Sequence, residues 1–130
     1  MKFQIICIVL MFMFSGCNGG ETYDPSYPVL ITHQRAQEMM EQYDAVILDV
    51  RTPEEFNSGH ILDAVLIPNA FIPLEIHYLV PDLDQIILVY CRTGIRSANA
   101  AQTLVEMGYR SVYDFGGILG WPGTIISEYE

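Results

Sequence analysis

Residues 86–108 read IILVYCRTGIRSANAAQTLVEMG, a strand, a loop and a helix in direct succession. Ile86 to Tyr90 is wholly apolar and rich in β-branched residues, with no alternation. That is the pattern of a strand covered on both faces of a parallel sheet. Ser97 to Met107 has helical spacing that turns small Ala98 and Ala101 and larger Leu104 and Val105 inward, and Gly108 supplies the left-handed stop. Cys91, Arg92, Thr93, Gly94, Ile95 and Arg96 form the connection.

The same alternation of element types extends on either side. Val46 to Val50, Ala64 to Ile67 and Val112 to Phe115 read as further strands, and Pro68 ends the second of them. Thr32 to Gln42 reads as a helix capped by Thr32, with Ala36, Met39, Met40 and Tyr43 at helical spacing. Thr52, Pro53, Glu54 and Glu55 make a helix start with a capping box, and Gly59 stops that helix. Leu74 to Val80 is a helix ended by Pro81. Strands alternating with helices predict an α/β domain over residues 29–124, with right-handed crossovers and helices on both faces of the sheet. Residues 125–130 are left as a tail. No internal repeat is present.

The 130 residues suffice for one domain and one core. Residues 1–16 hold a single charged side chain, Lys2, ahead of the ten-residue apolar run Ile5 to Phe14. A run of that length is too short to span a bilayer core of about 30 Å as a helix, and it fits the apolar region of a secretory signal. Ser15 and Gly16 before Cys17 resemble the bacterial lipoprotein signal, although Phe14 stands where leucine is usual. The expectation is an exported protein, periplasmic or at the cell surface, with a signal peptide over 1–16, a lipid anchor on Cys17 and a tether over 17–28. Beyond residue 16 five arginines face all sixteen acids. Such a balance repels nucleic acid and anionic membranes, so the lipid is the expected membrane contact. Cys7 leaves with the signal and Cys17 is blocked, so the mature chain keeps one thiol, Cys91, and forms no internal disulfide.

Cys91 stands at the carboxyl end of a strand, where open α/β sheets bind ligands. A loop running into a helix amino terminus directs free N–H groups at one centre and adds the positive end of the helix dipole. Gly94 permits the positive φ that a loop curled around one atom needs. Arg92 and Arg96 add local positive charge to an acidic chain. Surroundings of this kind lower a cysteine pKa to about 3.5–7.5. A thiolate in a small anion cradle serves phosphoryl transfer or sulfane-sulfur transfer. Cysteine phosphatases and arsenate reductases hold a tetrahedral oxyanion, the phosphatases with five residues between Cys and Arg. Here four residues separate Cys91 from Arg96, a ring better sized for a single sulfur atom.

Taken together, CRTGIRS at 91–97, LDVRTPEEFNSGHILDAVLIP at 48–68 and GGILGWPG at 116–123 resemble the single-domain rhodaneses, the thiosulfate sulfurtransferases. Asp63 departs from the pattern, which usually has glycine there. The resemblance implies a three-layer rhodanese-like domain, a five-stranded parallel sheet flanked by helices, and a persulfide on Cys91. It implies a small sulfur-containing anion as donor and a thiophilic acceptor as partners, and no cofactor.

In that chemistry Cys91 attacks the outer sulfur of the donor, Arg92 and Arg96 bind sulfonate oxygens, and Thr93, Gly94, Ile95 and Arg96 offer backbone N–H groups to the persulfide. Asp49 and Arg51 read as an ion pair that braces the loop, and His60 as a satisfied, partly buried histidine. His33 and His77 lie on predicted helices without partners at ligand spacing, so no metal site is expected. Trp121 covers the core near the chain end. The competing readings are a persulfide carrier or sulfur-sensing module that uses the same loop without turnover, and a cysteine phosphatase or arsenate reductase.

Overall fold

The computed structural model describes residues 24–129. The expected signal peptide, Cys17 and the first part of the expected tether lie outside the described residues. The chain forms β1 (Val29–Leu30), α1 (His33–Gln42), β2 (Val46–Asp49), α2 (Pro53–Ser58), β3 (His60–Ile61), β4 (Val65–Leu66), a single 3₁₀ turn at Asn69–Phe71, α3 (Ile72–Leu79), β5 (Ile87–Cys91), α4 (Ile95–Glu106), β6 (Val112–Gly117) and β7 (Ile125–Ile126). Five strands make a wholly parallel sheet in the order β1-β6-β5-β2-β4, and β3 pairs antiparallel with β7. Residues 125 and 126, assigned to a tail by the sequence, therefore form a strand that closes on His60 and Ile61. Among the described residues no helix is long and apolar enough to cross a membrane.

The central strand explains the two-layered core. Side chains alternate along a strand, so Ile87, Val89 and Cys91 join the cluster packed under α3 and α4, with Ile72, Ile76, Ala100, Ala101 and Leu104. Leu88 and Tyr90 point to the other face, against Ala36 and Met39 of α1 and Phe115 of β6. All five residues of β5 are buried. Burial of each Ile, Leu or Val side chain is worth about 1.5–3 kcal/mol, so β5 is anchored from both sides.

Local signals set the ends of the helices. Thr32 Oγ accepts the Arg35 amide at 3.1 Å and caps α1. The α2 capping box is complete, with Glu55 N donating to Thr52 Oγ1 at 3.3 Å and Thr52 N to Glu55 Oε2 at 2.9 Å. Tyr43 terminates α1 and stays exposed instead of joining the core face. In α4 the buried residues are Ser97, Ala100, Ala101 and Leu104, with Ala98 exposed. Here the expected facing is corrected at Ala98. Asp63, in the turn between β3 and β4, adopts φ +65°, which explains why glycine suits this position and why a short polar side chain substitutes for it.

Candidate active site

Cys91 is the last residue of β5, and the turn that follows is the tightest part of the site. Gly94 has φ +104°, a left-handed conformation that costs glycine no Cβ clash, and it is the N-cap of α4. Folding the loop back in this way brings the Gly94 N–H to 3.0 Å from the Cys91 Sγ. The Ser97 and Thr93 amides and the Ser97 hydroxyl lie near enough to favour the charged form of this sulfur. The same hydroxyl lies 3.0 Å from Gly94 O and 3.3 Å from Gly116 O. Its single proton serves one acceptor at a time, so the amides are the constant donors.

Burial pushes the Cys91 thiol up, and the hydrogen bonds from Ser97, Gly94 and Thr93 outweigh it, leaving the thiol below its ordinary value. Neither guanidinium is among the largest contributors. The residue exposes no surface and packs against the α4 side of the core. Its sulfur nevertheless meets a ring of N–H groups instead of apolar atoms alone, and this distinguishes it from an inert core cysteine.

The loop is held from outside by β6. Ile118 N donates to Cys91 O at 2.8 Å, and Cys91 stands opposite Gly117 after a register shift between the two strands. Gly117 lies so close to the loop that a Cβ there would sit 2.2 Å from Arg92 O and 2.8 Å from Thr93 Cα. His33 donates from Nε2 to Gly117 O at 2.8 Å and ties α1 to this point. Trp121 packs edge-on against His33 and beside Phe115, covering that face of the core.

Beneath the loop lies a buried polar brace. Arg51 Nη2 and Asp49 Oδ2 are 2.7 Å apart, and Arg51 Nε contacts both carboxylate oxygens at 3.0 Å. Arg51 also donates to Gly59 O at 2.8 Å and lies over the Tyr90 ring. The Tyr90 hydroxyl accepts the Ile61 amide at 3.1 Å, while burial and Asp49 hold its pKa above the ordinary phenol value. These contacts fix the residue next to Cys91. His60 donates from Nδ1 to Phe56 O at 2.9 Å and stacks on the Phe56 ring, a packed and satisfied histidine. His77 contacts Tyr109 through Nδ1. Among the described residues no three His, Cys, Asp or Glu side chains gather as a metal site.

The two loop arginines differ. Arg92 is exposed, whereas Arg96 is gripped by both oxygens of Glu55, at 2.7 and 2.8 Å. That pair lowers the Glu55 pKa to about 2 and raises that of Arg96. By sequence alone Glu55 belongs to the capping box and Ser97 to a helix start. Nothing local marks their second roles, because the contact from Glu55 to Arg96 spans 41 positions.

The family model for the rhodanese-like domain matches residues 32–123. The chain belongs to the rhodanese-like domain family. It is 36% identical over 87 residues to a sulfurtransferase of Allochromatium vinosum, covering 66% of this chain and 79% of that one. It is 37% identical over 92 residues to the thiosulfate sulfurtransferase GlpE of Coxiella burnetii, covering 70% of this chain and 84% of the relative. Among solved structures, a rhodanese with anions from E. coli matches with a TM-score of 0.61 at 32% identity, covering 64% of this chain and 98% of that chain. The rhodanese-like architecture expected from the motifs, a five-stranded parallel sheet flanked by helices, is the one found.

Proposed function

We infer that the protein is a sulfurtransferase that moves sulfane sulfur from thiosulfate or a related donor to a thiophilic acceptor through a persulfide on Cys91. The observation that carries this reading is the ring of loop amides closing on the Cys91 sulfur, in a loop with four residues between Cys91 and Arg96. Family membership and relatives named as sulfurtransferases support it. The Cys91 thiolate attacks the outer sulfur of thiosulfate, the S–S bond breaks, sulfite departs with the electron pair, and the persulfide rests among the amides. Arg92, exposed at the rim, is the side chain best placed to meet the departing sulfonate. The acceptor then attacks the terminal sulfur and restores the thiolate.

Thiocyanate formation from thiosulfate and cyanide tests the assignment. Wild type is expected to turn over and Cys91→Ser to be inactive, and equal rates refute it. Gain of one sulfur atom on Cys91 without turnover would instead identify a persulfide carrier. Cys91-dependent hydrolysis of an aryl phosphate would identify a phosphatase. Export completes the proposal, with residues 1–16 as signal and Cys17 as the lipidated first residue at the periplasmic or outer surface. Cys17→Ser is expected to release an active protein from membranes, and retention of the variant there overturns the anchor.

A further inference from the structure

The described residues contain five arginines and no lysine. Arg35 is paired with Glu38, Arg51 with Asp49, Arg96 with Glu55 and Arg110 with Asp84. Arg92 alone among them has no carboxylate partner. At the loop that receives the donor, one of the two cations is therefore already committed.

Glu55 is held there by two constraints. It closes the capping box through Thr52 N, and it takes both Arg96 nitrogens in a fork at 2.7 and 2.8 Å. Seen by an approaching anion, a bidentate guanidinium–carboxylate pair is a small dipole and no longer a full positive charge. The thiolate is held chiefly by the loop and helix amides, with Arg96 acting on it only through the charge that Glu55 leaves uncancelled, against a chain of formal charge −10. Each additional negative charge on a donor is then opposed by the Cys91 thiolate with little relief from Arg96.

We propose that Glu55 is a specificity-determining residue of the sulfur-transfer site, cancelling Arg96 so that the site favours monoanionic sulfane donors, thiosulfonates and persulfides, over dianionic thiosulfate. The proposal rests on the sulfurtransferase reading and names its donor class. In the step itself, Cys91 thiolate bonds to the outer sulfur of R–SO₂–S⁻ or R–S–S⁻. The bond between that sulfur and the carrier sulfur breaks, and its electron pair leaves on sulfinate or thiolate. Cys91 is left as the persulfide anion, with charge conserved and no external oxidant or reductant consumed.

The test uses the full chain as wild type, Glu55→Gln and the double variant Glu55→Gln/Arg96→Gln. Glutamine keeps an oxygen for the Thr52 amide, so the helix cap survives. Two ratios are measured, each comparing probes that differ by one charge. The first is kcat/KM for thiosulfate over that for the methanethiosulfonate anion, with cyanide as acceptor. The second is the rate of Cys91 alkylation by iodoacetate over that by iodoacetamide, which needs no sulfur transfer. Wild type is expected to favour methanethiosulfonate. Glu55→Gln is expected to raise both ratios about tenfold at low salt, with the gain shrinking as salt rises. The double variant is expected to return both toward wild type. A wild-type preference for thiosulfate, or an unshifted alkylation ratio in folded Glu55→Gln, overturns the role of Glu55. Absence of thiocyanate from either donor in wild type refutes the underlying sulfurtransferase reading, and the donor preference with it.

Discussion

Replacing Gly117 with alanine puts a methyl group where the active loop passes. The added Cβ would lie 2.2 Å from Arg92 O, 2.7 Å from Arg92 C and 2.8 Å from Thr93 Cα, while ordinary contact starts near 3.4 Å. All three atoms are backbone, so no side chain can swing aside, and the loop itself must retreat by roughly 1 Å. A misplacement of that size costs about 10²-fold in reactions that depend on fixed geometry. The amides of Thr93, Gly94 and Ser97 lower the Cys91 pKa only while they point at the sulfur, and burial opposes them. Gly117→Ala is thus expected to raise the pH midpoint of Cys91 alkylation toward or above the ordinary thiol range near 8.5, and to cut sulfur transfer about 100-fold. Overpacking also costs about 1–3 kcal/mol of stability. Gly116→Ala is the matched control. Its φ of +82° strains any side chain, but its Cβ meets nothing within 4 Å, so it should lose stability and keep the alkylation profile. A folded Gly117→Ala protein with a wild-type alkylation midpoint would refute the claim that β6 shapes the loop.

Asp49→Ala removes one partner of a fully buried ion pair and should destabilise by about 3–5 kcal/mol, read as a lower denaturant midpoint. Arg96→Ala leaves Glu55 uncompensated beside the loop, so alkylation of Cys91 by iodoacetate at neutral pH should slow more than alkylation by iodoacetamide; equal slowing would show that charge is not the cause. The folded Glu55 pKa, about 2, lies below its ordinary 4.5, so the stability it contributes is present above pH 4.5 and lost as pH falls toward 2. Glu55→Gln should flatten the stability profile in that window, measured by denaturation at stepped pH. Asp63→Gly relieves a left-handed backbone and should change stability by no more than about 1 kcal/mol, with sulfur transfer intact.

The sheet was readable because β5 is apolar throughout and flanked by turn and helix signals, and only a strand covered on both faces looks like that. Capping at Thr32 and at Thr52 with Glu55 was readable for the same reason, since the partners lie three positions apart. What escaped depends on distance along the chain. The Glu55–Arg96 fork, the closure of Gly117 on Arg92, and the pairing of Ile125 and Ile126 with β3 each require the sheet order before they exist. The inward face of α4 differs from the expected one at Ala98, because Ser97, Ala100, Ala101 and Leu104 share one face at helical spacing and Ala98 lies about 100° round from Ser97. The pairing of Arg96 is hidden from the sequence for a related reason. A guanidinium in a loop looks available until the tertiary fold supplies its carboxylate, and here the arginine left without one is Arg92.

Cys91 points to the same side of β5 as Ile87 and Val89, under Ala100, Ala101 and Leu104. The nucleophile is thereby the end member of a packed row, and whatever slides that row along its axis also slides the sulfur against its donors. Trimming a methyl group at Val89, out of reach of any substrate, would register as altered thiol chemistry before it registered as unfolding. Reactivity at one atom becomes a gauge of how tightly the interior is seated.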